Sequence, residues 1–142
     1  MGTIRKFEAQ KRISTLWFIG LGFFFLVIAV QILLSRYGNY NKDVVEWSAQ
    51  NSVPGLMIIL GSCVASINQR KSTKTVDLFY FRLTFYISLF YLIVLCFVLL
   101  FYPVGVQYNK SLVTYFKSSQ LFLTVIQGLT LYALGMFFNK EN

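Results

Sequence analysis

One run fixes most of what this chain can become: Leu78 to Tyr102, LFYFRLTFYISLFYLIVLCFVLLFY, closed by Pro103. It holds 25 residues and a single formal charge, Arg82. As a helix it reaches about 38 Å at ~1.5 Å per residue, enough to cross a ~30 Å hydrocarbon core with some tilt. No face of it is polar enough to meet water along its length, so the chain reads as a membrane protein. Every other stretch is placed relative to this span.

Three further apolar segments follow the same logic. Leu16–Leu34 is 19 residues long and follows a basic leader. It exceeds the hydrophobic region of a signal peptide and no A-x-A site comes after it, so it is expected to be a retained first span over about 16–35. Gly55–Ile67 has only 13 residues, about 20 Å of helix at ~1.5 Å per residue, too short to cross alone. The Asp43-Val44-Val45-Glu46 spacing suits a capping box with a helix starting at Val44. A helix running on through Pro54 therefore makes the second span, over about 47–67, with neighbouring helices satisfying the carbonyl the proline frees. The other arrangement is a short interfacial helix before a short span. The third span covers about 78–102 and the fourth about 120–138. The expectation is an all-α integral membrane protein, one domain over 1–142, with four transmembrane helices in an antiparallel bundle. The short polar connection Asn68–Asp77 should make spans two and three neighbours. The leader reads either as a short interfacial helix around Ile4 and Phe7 or as a solvated basic segment.

The net charge of +8 would point to nucleic acid in a soluble chain, but charged residues are only 13% of this one. The basic residues flank spans, where they act as topology signals, so no direct nucleic-acid contact is expected. Nine Lys/Arg fall on the side of the leader, the second connection and the tail, and four on the other. That bias predicts both termini in the cytoplasm (N-in, C-in), with the protein in a bacterial inner (plasma) membrane. Arg5, Lys6, Lys11, Arg12, Arg70, Lys71, Lys74 and Arg82 are then candidates for contact with anionic lipid headgroups or a partner. Arg82 lies one turn inside its span and is expected to snorkel to the interface.

Small and polar residues mark where helices should pack. On span one, Gly20 and Gln31 share a face with Trp17, Phe24 and Val27. Span two carries two overlapping small-xxx-small pairs, Gly61/Ala65 and Ser62/Ser66, the spacing that lets helices approach closely. Packing inside the bundle accounts for them most simply. Thr84, Ser88 and Tyr91 form a polar stripe on span three that should face protein. On span four, Gln120, Thr124, Gln127, Gly128, Leu131 and Gly135 fall on one face, polar at its start and glycine-notched at its end. Gly20, Gln31, Gly61, Ser62, Ala65, Ser66, Thr124, Gln127, Gly128 and Gly135 are thus the candidate packing or oligomer-interface residues, and a homo-oligomer is expected.

Most chemistry is disfavoured. There is no histidine, which removes the commonest general base and metal ligand. Cys63 and Cys96 stand alone in apolar runs, with no C-x-x-C spacing. The five acids lie outside the spans or at their ends. No catalytic set, cofactor or metal is expected. What remains is a non-catalytic membrane subunit that self-associates and anchors, senses or signals for a soluble cytoplasmic partner, as in a bacterial stress or phage-defence system. The alternative is an oligomeric pore or ion channel with its path between protomers, since a bundle this apolar has a filled centre.

Overall fold

A computed structural model describes residues 2–66, 74–108 and 111–139. Its elements in chain order are β1 (Thr3–Arg5), α1 (Lys6–Leu33), a 3₁₀ turn at Gly38–Tyr40, α2 (Asn41–Ser66), β2 (Thr75–Asp77), α3 (Leu78–Gln107) and α4 (Leu112–Asn139). About 89% of the described residues are helical, so the all-α class holds. α1, α3 and α4 are each long and apolar enough to cross a membrane. α2 is the exception. Its 26 residues supply the length, but Lys42, Asp43, Glu46, Gln50 and Asn51 make its first half polar.

The helices outrun the expected spans. α3 continues through Pro103 to Gln107, and α2 begins at Asn41, three residues before the capping-box start, and runs unbroken through Pro54. The leader departs more sharply. Thr3–Arg5 is neither an interfacial helix nor a solvated arm but a strand, paired antiparallel with Thr75–Asp77 around Ile4↔Val76. Lys6 N–H donates to the Lys74 carbonyl and Leu78 N–H to that of Gly2, closing the ribbon at both ends. α1 and α3 leave opposite ends of this ribbon. Three residues at ~3.3 Å each span about 10 Å, which matches the 8–10 Å between packed helix axes.

That ribbon decides the arrangement of the bundle. α1 lies between α2 and α3, and α4 lies between the same two. Spans two and three were expected to be neighbours because their connection is short. They instead sit across the diagonal, since β2 pairs with β1 and so starts α3 beside α1. Side-chain pairs give the directions. Gly20 meets Leu92 and Trp17 meets Tyr91, so α1 and α3 run parallel. Trp47 meets Phe116 and Asn51 meets Gln120, so α2 and α4 also run parallel. Within each hairpin the helices are antiparallel, as Phe24–Trp47 and Gly105–Tyr115 show.

Each helix turns one helical stripe inward. Ile13, Trp17, Leu21, Phe24 and Ile28 line α1, and Thr84, Ser88, Tyr91, Leu95 and Leu99 line α3, all buried at intervals of three or four. The Thr84–Ser88–Tyr91 stripe thus faces protein. The axis of the bundle is filled by Trp17, Tyr91, Phe24, Leu95 and Leu123.

The α1–α2 turn is pinned by its own backbone. Arg36 N–H donates to Gln31 O and Ser35 N–H to Ile32 O, the paired bonds of a Schellman cap. Ser35 holds the left-handed position at φ 53°, where glycine is the usual residue. Tyr37 then folds back, buried, and its hydroxyl donates to Gln31 Oε1. Tyr102 of α3 donates to the Arg36 carbonyl at 3.0 Å and fixes the turn to the bundle.

Candidate functional site

Polar side chains gather at the turn of α2 that Pro54 opens. A proline has no N–H, so the carbonyl four residues earlier, Gln50 O, loses its helical donor. Gln127 of α4 supplies one: its Nε2 donates to Gln50 O at 3.1 Å and to Asn51 O at 3.3 Å. Tyr91 of α3 donates its hydroxyl to the same Asn51 carbonyl. The Asn51 side chain in turn donates to Trp47 O and to Gln120 Oε1, each at 2.8 Å. One weakened turn of α2 is thereby tied to both of the helices that face it. Near Pro103 on α3, whose freed carbonyl is that of Leu99, Tyr115 donates to the neighbouring Val98 O at 2.8 Å.

The part of this cluster around Asn51 is closed to solvent, while Gln50 at its edge is exposed. Asn51, Ser52, Ser88 and Thr130 have no exposed surface, and Ser48 has almost none. Ser52, Thr130 and Ser62 return their hydroxyls to the carbonyl one turn back, which satisfies them locally. Asn51 Oδ1, Ser88 Oγ and Trp17 Nε1 are buried without a protein partner. Trp17 packs on Tyr91 with ring centroids 5.9 Å apart, and its ring edge also occupies the notch left by Gly55. The chemistry available here is hydrogen bonding between neutral groups. No carboxylate or cation enters it, and among the described residues no three His, Cys, Asp or Glu side chains come together.

The expected packing residues divide into two sets. Gly20 and Gln31 work inside the chain: a Cβ on Gly20 would meet Leu92 at 2.8 Å, and Gln31 is held by Tyr37. Gln127 also works inside. Gly61, Gly128 and Gly135 do not, since a Cβ on any of them would touch nothing within 4 Å. Thr124 is exposed and returns its hydroxyl to Gln120 O. Ser62 is half-buried beside Cys63, and the Ala65 and Ser66 side chains lie outside the described residues. The expected single face of α4 is therefore split. Gln120 and Gln127 turn toward α2, while Thr124 and Gly128 point away from the bundle and Leu123, Thr130 and Leu134 form the buried seam.

The basic residues also divide. Arg5, Lys11, Arg12, Lys74 and Arg82 are exposed near the ribbon end of the bundle, whereas Lys6 is buried at the start of α1. Arg70 and Lys71 lie outside the described residues. Lys42 and Glu46 form an exposed i, i+4 contact at 3.7 Å.

Asn51 is the residue that sequence reasoning missed, because Arg36–Ser52 looked like a polar connection. The signal was there. Ser48, Asn51, Ser52, Gly55 and Ile59 repeat at three and four, so the polar residues themselves trace the inner stripe of a helix. No protein family, curated protein or solved structure matches this chain.

Proposed function

We propose that this chain is a non-catalytic polytopic membrane subunit that assembles with itself and anchors, senses or signals for a soluble partner. The observation that carries the reading is the contrast between its glycines. Gly20, Gly55 and Gly105 are each filled by a side chain of the same chain, whereas Gly61, Gly128 and Gly135 are open notches. Small residues on a membrane helix let a second backbone approach, and an unfilled notch forfeits those contacts. The filled axis and the neutral, closed polar centre favour assembly over chemistry or conduction within one chain.

In this reading all four helices cross the bilayer. α2 is long enough, about 39 Å at ~1.5 Å per residue, and the polar inner stripe of its first half is met by α3 and α4 rather than by lipid. The nine-to-four distribution of Lys/Arg supports N-in, C-in topology in a plasma membrane. The exposed cations at the ribbon end would then sit at the cytoplasmic headgroups, beside any soluble partner.

The test is assembly. Gly128→Leu and Gly135→Leu should shift the protein toward monomer in mild detergent, measured by native mass spectrometry and by cross-linking in lipid. Phe24→Leu should leave the oligomer in place. A monodisperse wild-type monomer in both detergent and lipid would defeat the proposal, and steady current through bilayers holding the purified protein alone would favour a pore instead.

A further inference from the structure

α3 and α4 approach closely at the end away from the ribbon. Where Tyr115 covers Gly105, a Cβ on the glycine would come within 2.6 Å of the ring. Toward the ribbon the two helices part and enclose a cavity of about 880 Å³. Its walls are apolar side chains such as Leu83, Phe90, Leu129 and Met136, and at the ribbon end it is lined by Lys6, Lys74 and Asp77 with Tyr80 beside them. We infer that this crevice binds one phospholipid of the leaflet on the ribbon side, with an acyl chain between α3 and α4 and an anionic headgroup at Lys6 and Lys74.

Three observations fit this occupant. The first is depth. The crevice runs from Tyr80 to Phe90 on α3 and from Ile126 to Phe137 on α4. That is about 15–17 Å at ~1.5 Å per residue, the thickness of one leaflet of a ~30 Å hydrocarbon core. A partner helix is ~10–12 Å across and would need a groove along the whole span, but this one ends halfway.

The second is charge. Among the described residues, the lining holds two lysines against one acidic residue, Asp77, and the ribbon register brings Lys6 and Lys74 together through the Lys6 N–H to Lys74 O bond of 2.9 Å. An ammonium has three donors, so one already engaged still has donors for phosphate oxygens. The third is the sharp division between an apolar wall and a charged rim. It follows the division within a phospholipid, and Tyr80 stands at the level where tyrosines gather in bilayers.

The site is separate from the proposed assembly face. At 100° per residue, the Gly128–Gly135 line lies roughly 120° round α4 from the Leu129–Ala133–Met136 line. The two readings therefore fail independently.

The test uses the full chain purified in mild detergent, with native mass spectrometry of retained dioleoyl-phosphatidylglycerol and dioleoyl-phosphatidylcholine. One phosphatidylglycerol per chain should survive activation that strips other lipid. Ala133→Trp fills the crevice and should lower that adduct about tenfold while the helical circular dichroism is kept. If Ala133→Trp does not fold, Leu129→Trp, at an exposed wall position, carries the same expectation. Lys74→Gln should reduce the preference for phosphatidylglycerol about fivefold, and Lys6→Gln with Lys74→Gln about thirtyfold. The inference is overturned if no lipid is retained, if the folded filling variant retains as much as wild type, if the two lipids are held equally, or if a second copy of the chain displaces the adduct.

Discussion

Gln127 and Pro54 should be energetically coupled, though they lie on different helices. Pro54 leaves Gln50 O without its helical donor, and Gln127 Nε2 reaches that carbonyl at 3.1 Å. Gln127→Leu removes the donor. The bond lies at an exposed edge of the α2–α4 pair, and interhelical hydrogen bonds in membranes average about 0.6 kcal/mol with a maximum near 1.7. With the bonds to both Gln50 O and Asn51 O lost, the expected cost is about 1.5 kcal/mol. Pro54→Ala gives the helix its own N–H for Gln50 O. In that background Gln127→Leu should cost only about 0.5 kcal/mol, chiefly for the weaker bond to Asn51 O at 3.3 Å. The coupling is then about 1 kcal/mol, near fivefold in the unfolding equilibrium constant. Reversible unfolding in mixed detergent–SDS micelles measures it. The fluorescence is well placed, because the only two tryptophans, Trp17 and Trp47, both touch this region of α2. If the two substitutions add within about 0.5 kcal/mol, Gln127 is not compensating the proline and the reasoning fails.

Three further outcomes follow from the packing. Ser35→Gly should stabilise the protein by about 1 kcal/mol, because a left-handed φ of 53° strains a residue with a Cβ; an unchanged or lower unfolding midpoint would contradict the cap assignment. Burial, reinforced by Tyr102 and opposed by Arg36, raises the Tyr37 phenol above its ordinary value. A group held neutral in the fold contributes stability that is full below its unfolded pKa of about 10 and is lost as pH rises beyond it. Tyr37→Phe should therefore flatten the alkaline fall in stability seen by circular dichroism, and an identical fall in both proteins would count against it. Gly55→Ala should cost roughly 1–3 kcal/mol because its Cβ would enter the wedged Trp17 ring, while Gly22→Ala, where a Cβ meets nothing within 4 Å, should be neutral or gain up to about 1 kcal/mol of helix propensity. Equal effects at the two glycines would mean the notches are not different.

The sequence by itself determined the helical class and marked the segments long and apolar enough to cross a membrane. A run such as Leu78–Tyr102 has too little polar surface to be stable in water and too few charges to be excluded from lipid, and those are sums over residues that need no partner. Helical spacing also announced the Thr84–Ser88–Tyr91 stripe of α3, because the period of an isolated helix already sorts its faces. On α1 it placed Trp17 and Phe24 correctly, but Leu21 and Ile28 complete the buried stripe in place of Val27 and Gln31. The order of helices round the bundle was not legible. It depends on β1 pairing with β2, two three-residue segments 70 residues apart whose composition gives no hint of each other. Nor could the sequence say which glycines are filled. Gly20 and Gly128 look alike along the chain, and only the position of Leu92 on another helix separates them. The same holds for Gln127. Its amide announces a need for a partner, but which carbonyl lacks a donor was decided by Pro54 on α2 and by the parallel register that brings α4 beside it. Local composition fixes what each segment must avoid. Contact between distant segments fixes what each one meets.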